Sequence, residues 1–137
     1  MALRFSTTRR VEFRDTDAAG IAHFSVFFVY MEQAEHEWLR ELGLSVVLKD
    51  DDGEISWPRV SAACEYRHPA RFEDVLDVAV TVQRLGQKSV TFDFRFTREG
   101  LEIASGSLTA VCCRIRPGSP PQSIRIPAAI AHKLRGE

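Results

Sequence analysis

Hydrophobic positions change their spacing several times along the chain, and each change marks an element. From Phe5 to Phe13 the apolar positions Phe5, Val11 and Phe13 share a parity with Thr7 and Arg9, a weak alternation that predicts an exposed or edge strand. The alternation breaks at Asp15-Thr16-Asp17-Ala18-Ala19-Gly20, two carboxylates beside a turn, where Gly20 tolerates a φ that other residues resist. A helix is then predicted to begin near His23 to Ser25. Its first half, Phe24, Val26, Phe27, Phe28, Val29, Tyr30 and Met31, is apolar on every side, the mark of a helix enclosed by other elements. Farther on, Phe24, Phe27, Met31, Ala34, Trp38 and Leu42 continue one stripe. Glu32, Glu35, Glu37, Arg40 and Glu41 fill the remainder, so this end is expected to reach water before Gly43 stops the helix.

Leu44 to Gly53 ends in the run Lys49-Asp50-Asp51-Asp52-Gly53. It reads as a solvated loop, because the further ligands of a calcium-binding loop are missing. Period-two patterning then dominates. Val60, Ala62, Cys64 and Tyr66 alternate with Arg59, Ser61, Glu65 and Arg67 in a predicted half-buried strand. After the break at His68-Pro69-Ala70, Leu76, Val78, Val80 and Val82 share one side of a second strand. Beyond the turn at Leu85-Gly86-Gln87, Val90, Phe92, Phe94 and Phe96 share one side of a third, the cleanest in the chain. Arg98-Glu99-Gly100 leads into Leu101 to Ile115, where Ala104, Gly106 and Ala110 blur the parity and Gly106 marks a bulge or a close approach to the helix. Pro117 to Pro121 is a loop, and Ile126 to Ile130 predicts a short terminal helix with Pro127 near its first turn.

Short connections imply antiparallel neighbours, so the pattern predicts an α+β domain. Its curved antiparallel sheet wraps one long helix, or covers one side of it and leaves the other to a partner subunit. Open sheet edges predict pairing into a homodimer or a dimer of dimers. With 137 residues, one domain spanning 1–137 accounts for the whole chain. Lys and Arg number 18 against 19 Asp and Glu, which removes the electrostatic footprint of a duplex nucleic acid partner. No apolar run has the length of a signal core or a membrane span, and a cytoplasmic protein is the expectation. Cys64, Cys112 and Cys113 lack metal-ligand spacing and read as reduced, structural thiols.

The chemistry concentrates where the helix begins. A helix N-terminus carries unpaired amide hydrogens and a partial positive charge, and here a carboxylate lies a few residues upstream. Such donors face the oxyanion that forms when a carbonyl is attacked, which points to acyl transfer or hydrolysis.

The stretch Glu12-Phe13-Arg14-Asp15-Thr16-Asp17-Ala18-Ala19-Gly20-Ile21, followed by the aromatic-rich helix and Glu32-Gln33-Ala34, resembles the hotdog-fold acyl-CoA thioesterases of the 4-hydroxybenzoyl-CoA thioesterase type. Tyr66 to Leu76 resembles that family's connection into its third strand. The resemblance implies that Asp17 attacks the thioester carbonyl or activates a water to do so, and that the backbone amide of Phe24 is the oxyanion donor. His23 departs from the family's usual residue and reads as a lining residue, an auxiliary acid/base or a cap. Glu32 matches an acidic residue near the acyl pocket that recognises a polar group on some substrates. Lys88 matches a contact to the nucleotide phosphates, with Arg84 close by, whereas Gly86-Gln87 replaces neighbouring basic residues. Coenzyme A enters as part of the substrate; no separate cofactor and no metal is expected. Two other classes stay open: a hotdog-fold hydratase or dehydratase using His23 with a carboxylate, and a non-catalytic acyl-thioester binding protein in which Asp17 is only a cap.

Overall fold

A computed structural model describes residues 3–137. In chain order the elements are β1 (Arg4–Arg10), a 3-10 turn (Phe13–Asp15), α1 (Val26–Glu41), β2 (Leu48–Asp50), β3 (Gly53–Ser56), β4 (Arg59–Tyr66), β5 (Val75–Leu85), β6 (Ser89–Arg98), β7 (Leu101–Val111), β8 (Cys113–Ile115), β9 (Gln122–Ser123) and α2 (Ala128–Arg135). Five strands form one antiparallel sheet in the order β1-β5-β6-β7-β4, and the short strands form a second in the order β2-β3-β8-β9. No described helix is long and apolar enough to cross a membrane.

Period-two patterning builds the face on which α1 lies. Leu76, Val78 and Val80 of β5 and Val90, Phe92, Phe94 and Phe96 of β6 are all buried. Each fully buried phenylalanine contributes about 2 kcal/mol of hydrophobic stabilisation. Phe27 meets Phe96 edge-on at 5.2 Å and Trp38 meets Phe92 at 6.0 Å, so α1 runs antiparallel to β6. A Cβ on Gly106 of β7 would lie 2.7 Å from the Ala63 carbonyl oxygen and 2.8 Å from Met31 Sδ. The close approach expected at this glycine is therefore real, and it draws α1 and β4 together over β7.

Within one chain the sheet covers one side of α1 and leaves Val29 49% exposed, the second of the two arrangements the pattern allows. Four expectations are corrected. Glu35 does not reach water: it is 2% exposed, because it follows Met31 by one turn on the stripe that faces the sheet. Strand β4 points Ala62 and Cys64 toward the helix side, opposite Leu108 and Gly106, and a register shift between Arg59 and Ser61 sets Arg59 opposite buried Ala110, yet the strand is not half-buried. It is the sheet edge, and Val60 is 63% exposed. Lys49 to Gly53 is not a loop but a β2–β3 hairpin, in which Asp50 accepts a hydrogen bond from Arg114 Nη2 at 3.0 Å. The run Leu101 to Ile115 also divides at Cys112, whose amide donates to Lys88 O, and β8 passes into the second sheet.

Candidate active site

The loop before α1 is a small hairpin of its own. Asp17 N–H donates to Ile21 O at 2.8 Å, Thr16 bridges Ala22, and His23 N–H donates to Asp15 O at 2.8 Å. Gly20 closes the turn at φ +79°, and its N–H donates to Asp17 O. Asp15 is structural: its Oδ2 accepts from the Glu12 amide at 2.9 Å and from the Tyr30 hydroxyl at 2.8 Å. Burial, and then that hydrogen bond to Asp15, pushes the Tyr30 phenol well above its ordinary pKa, so it stays a donor.

Asp17 is partly buried at the tip of this hairpin. One carboxylate oxygen, Oδ1, accepts from Ala19 N at 2.8 Å and Ile21 N at 3.4 Å. The other, Oδ2, has no hydrogen-bond partner among the described residues. Asp17 thus shapes its own turn with one oxygen, and its second oxygen is left without a partner among the described residues.

Phe24 and Ser25 carry the chain from the hairpin into α1. The Phe24 N–H has no acceptor among the described residues, whereas the Phe24 carbonyl accepts from the Tyr66 hydroxyl at 2.7 Å. Burial pushes the Tyr66 phenol up to about 12, which keeps it protonated and donating at neutral pH. His23 Nδ1 accepts from the Ser25 amide at 3.2 Å and lies 2.7 Å from Ser25 Oγ, and its ring stacks on Phe24 at 4.5 Å. His23 therefore serves the first turn of α1 and is not hydrogen-bonded to Asp17. Sequence reasoning quoted Tyr66 without giving it a role; its signal was only its place at the inward parity of β4.

Glu32 is exposed on α1, with a carboxylate oxygen 3.9 Å from Arg59 Nη2. Arg59 is the larger surprise. Its Nη1 lies 2.8 Å from Glu35 Oε1, and burial raises the Glu35 pKa even though Arg59 pulls it down. Arg84 and Lys88 flank the β5–β6 turn, exposed, beyond the Val90 end of β6. Because α1 runs antiparallel to β6, they sit near its C-terminal end, on the order of 20 Å from the Asp17 hairpin. One chain therefore carries Asp17, His23 and Phe24 on the same short hairpin leading into α1 and leaves Arg84 and Lys88 apart from them.

Comparison with known proteins gives three consistent findings. The family model described as the thioesterase-like superfamily matches residues 11–134. A 1,4-dihydroxy-2-naphthoyl-CoA hydrolase of Synechococcus is 31% identical over 106 residues, covering 72% of this chain and 69% of its own, and the acyl-CoA thioesterase YbgC of Haemophilus influenzae is 24% identical over 131 residues, covering 93% and 95%. A solved gentisyl-coenzyme A thioesterase superposes with a TM-score of 0.81 at 28% identity, covering 95% of this chain and 99% of its own.

Proposed function

The chain belongs to the thioesterase-like superfamily and is a hotdog-fold thioester hydrolase, and on that premise we propose that it cleaves an acyl-CoA to the free acid and coenzyme A, with Asp17 and the Phe24 amide as its catalytic groups. The observation that carries this reading is the pairing of two uncommitted atoms at one helix mouth: an Asp17 oxygen and a Phe24 N–H, each without a partner among the described residues.

The thioester carbonyl sits between them. Attack by the free Oδ2 of Asp17 on the carbonyl carbon moves the electron pair onto the carbonyl oxygen. The Phe24 N–H, at the positive end of α1, donates to that oxyanion. Collapse expels the coenzyme A thiolate, and water hydrolyses the resulting anhydride. In the other route Asp17 takes a proton from water, which attacks the carbonyl directly; both end in one acid and one thiol. His23 lines the mouth and caps the helix. Glu32 faces the distal part of the acyl group, and Arg84 and Lys88 meet nucleotide phosphates.

The working unit in this reading is a homo-oligomer built from a dimer. The free edge of β4 and the exposed Val29 and Val60 need a cover, and a second copy provides one. The test is thiol release from a panel of acyl-CoAs, comparing wild type with Asp17→Asn.

A further inference from the structure

The seam between α1 and the free edge strand β4 begins at the catalytic mouth. Tyr66 meets the Phe24 carbonyl at one end, and Arg59 meets Glu32 and Glu35 at the other, so the two elements run antiparallel. Phe24 and Glu32 are about 12 Å apart along the helix. Between them the seam is apolar and open: Phe28, one turn before Glu32, and Cys64 are only partly buried, and Ala62 is exposed. The chemistry then changes. Arg59 Nη1 and Glu35 Oε1 lie 2.8 Å apart, both atoms are buried, and neither has a hydrogen-bond partner among the described residues beyond this ion contact. Farther along α1, Glu35 forms one wall of a nearly filled cavity of about 10 Å³, room for about one water molecule. Ser45 apart, its other walls are apolar, among them Leu39, Leu48, Trp57, Phe92 and Ile130.

We propose that the Glu35–Arg59 pair closes the far end of the acyl site and sets its length limit, shutting off the apolar cavity that a longer chain would need. The inference rests on the acyl-CoA reading above and deepens it to a substrate class, short or compact acyl groups. An acyl chain that leaves its carbonyl at the Phe24 amide and lies against Phe28 reaches the Arg59 guanidinium after about 12 Å. Going farther means parting two buried charges and leaving the Glu35 carboxylate alone in an apolar wall. Burial of a few methylenes does not offset that loss. The pair therefore selects by exclusion, and an octanoyl chain stops short of it whereas a tetradecanoyl chain runs past it.

The experiment uses the full chain and measures kcat/KM for octanoyl-CoA and tetradecanoyl-CoA, with calorimetric binding of the matching S-alkyl-CoA thioethers, which cannot be hydrolysed. Wild type should favour the shorter chain in both. Glu35→Ala/Arg59→Ala removes both charges at once and joins the seam to the cavity. Its tetradecanoyl-to-octanoyl ratio of kcat/KM should rise about tenfold or more, a modest shift on the scale at which methylenes discriminate in apolar pockets. The ratio of thioether affinities should move the same way. Glu35→Met/Arg59→Met keeps the volume while removing the charge, and should give a smaller shift in the same direction even where the Ala pair fails to fold. Thermal unfolding identifies the folded variants. A wild type that prefers tetradecanoyl-CoA overturns the length limit, as do ratios that stay fixed in the folded double variants. A shift in thioether binding, in a protein that releases no thiol, upholds the limit and removes the hydrolase reading instead.

Discussion

The Tyr66 hydroxyl donates to the Phe24 carbonyl oxygen at 2.7 Å, so a residue near the end of edge strand β4 holds the peptide from which α1 departs. The bond ties down the peptide unit that follows Phe24, and in the proposed mechanism the Phe24 N–H is the donor to the developing oxyanion. Tyr66 is a positioning residue in this account. Tyr66→Phe should lower kcat about tenfold, since a misaligned oxyanion donor loses part of its transition-state stabilisation. KM should change much less, and the stability cost should stay near 1 kcal/mol. Steady-state kinetics with urea unfolding separate the two effects; a change confined to stability would reduce Tyr66 to a structural tie.

Arg59 and Glu35 make a pH-dependent prediction. Burial raises the Glu35 pKa above its ordinary 4.5 in the folded chain. The protonated form is then favoured by folding, so its contribution is complete below the unfolded pKa and is lost as pH rises through the higher folded value. Arg59 opposes that loss by pairing with the carboxylate. Arg59→Ala should therefore cost about 3 kcal/mol at pH 8, where it strands a buried charge. The deficit should shrink toward pH 5, where a neutral carboxyl is tolerated. Urea unfolding at the two pH values checks this, and an equal deficit at both would mean that the pair does not govern the site.

Gly106 supports a third prediction, about packing. An added methyl meets the Ala63 carbonyl oxygen at 2.7 Å as well as Met31, and the backbone atom has no freedom to withdraw. Gly106→Ala should destabilise the protein by about 2 kcal/mol through overpacking. Thermal unfolding measures it directly; a neutral substitution would show that β4 is free to shift away from β7.

Much of this arrangement was legible in the residues before any coordinates. The alternation of Val90, Phe92, Phe94 and Phe96 is a local property, and β6 lies where it predicts with those side chains buried. The helix bounds were likewise readable, from the Asp15 to Gly20 turn at one end and Gly43 at the other. The charge of Glu35 points to solvent, but its spacing from Met31 and Trp38 places it on the buried stripe. Its partner Arg59 lies on a different element, and no local pattern announces that contact. The same holds for Asp50 with Arg114 and for Tyr66 with Phe24, which meet across 64 and 42 positions of chain. The separation of Lys88 from Asp17 needed the direction of α1 across β6, which a linear string does not carry.

In the proposed mechanism Asp17 is the group that attacks the thioester or activates the water. The decisive measurement is release of free thiol from a panel of acyl-CoAs by wild type and by Asp17→Asn, with thermal unfolding confirming that the variant is folded. Loss of about a thousandfold or more in kcat, with the unfolding temperature unchanged, is the predicted result for removal of the principal catalytic group. Thiol release by Asp17→Asn at the wild-type rate would contradict it and leave Asp17 as the cap of its own turn.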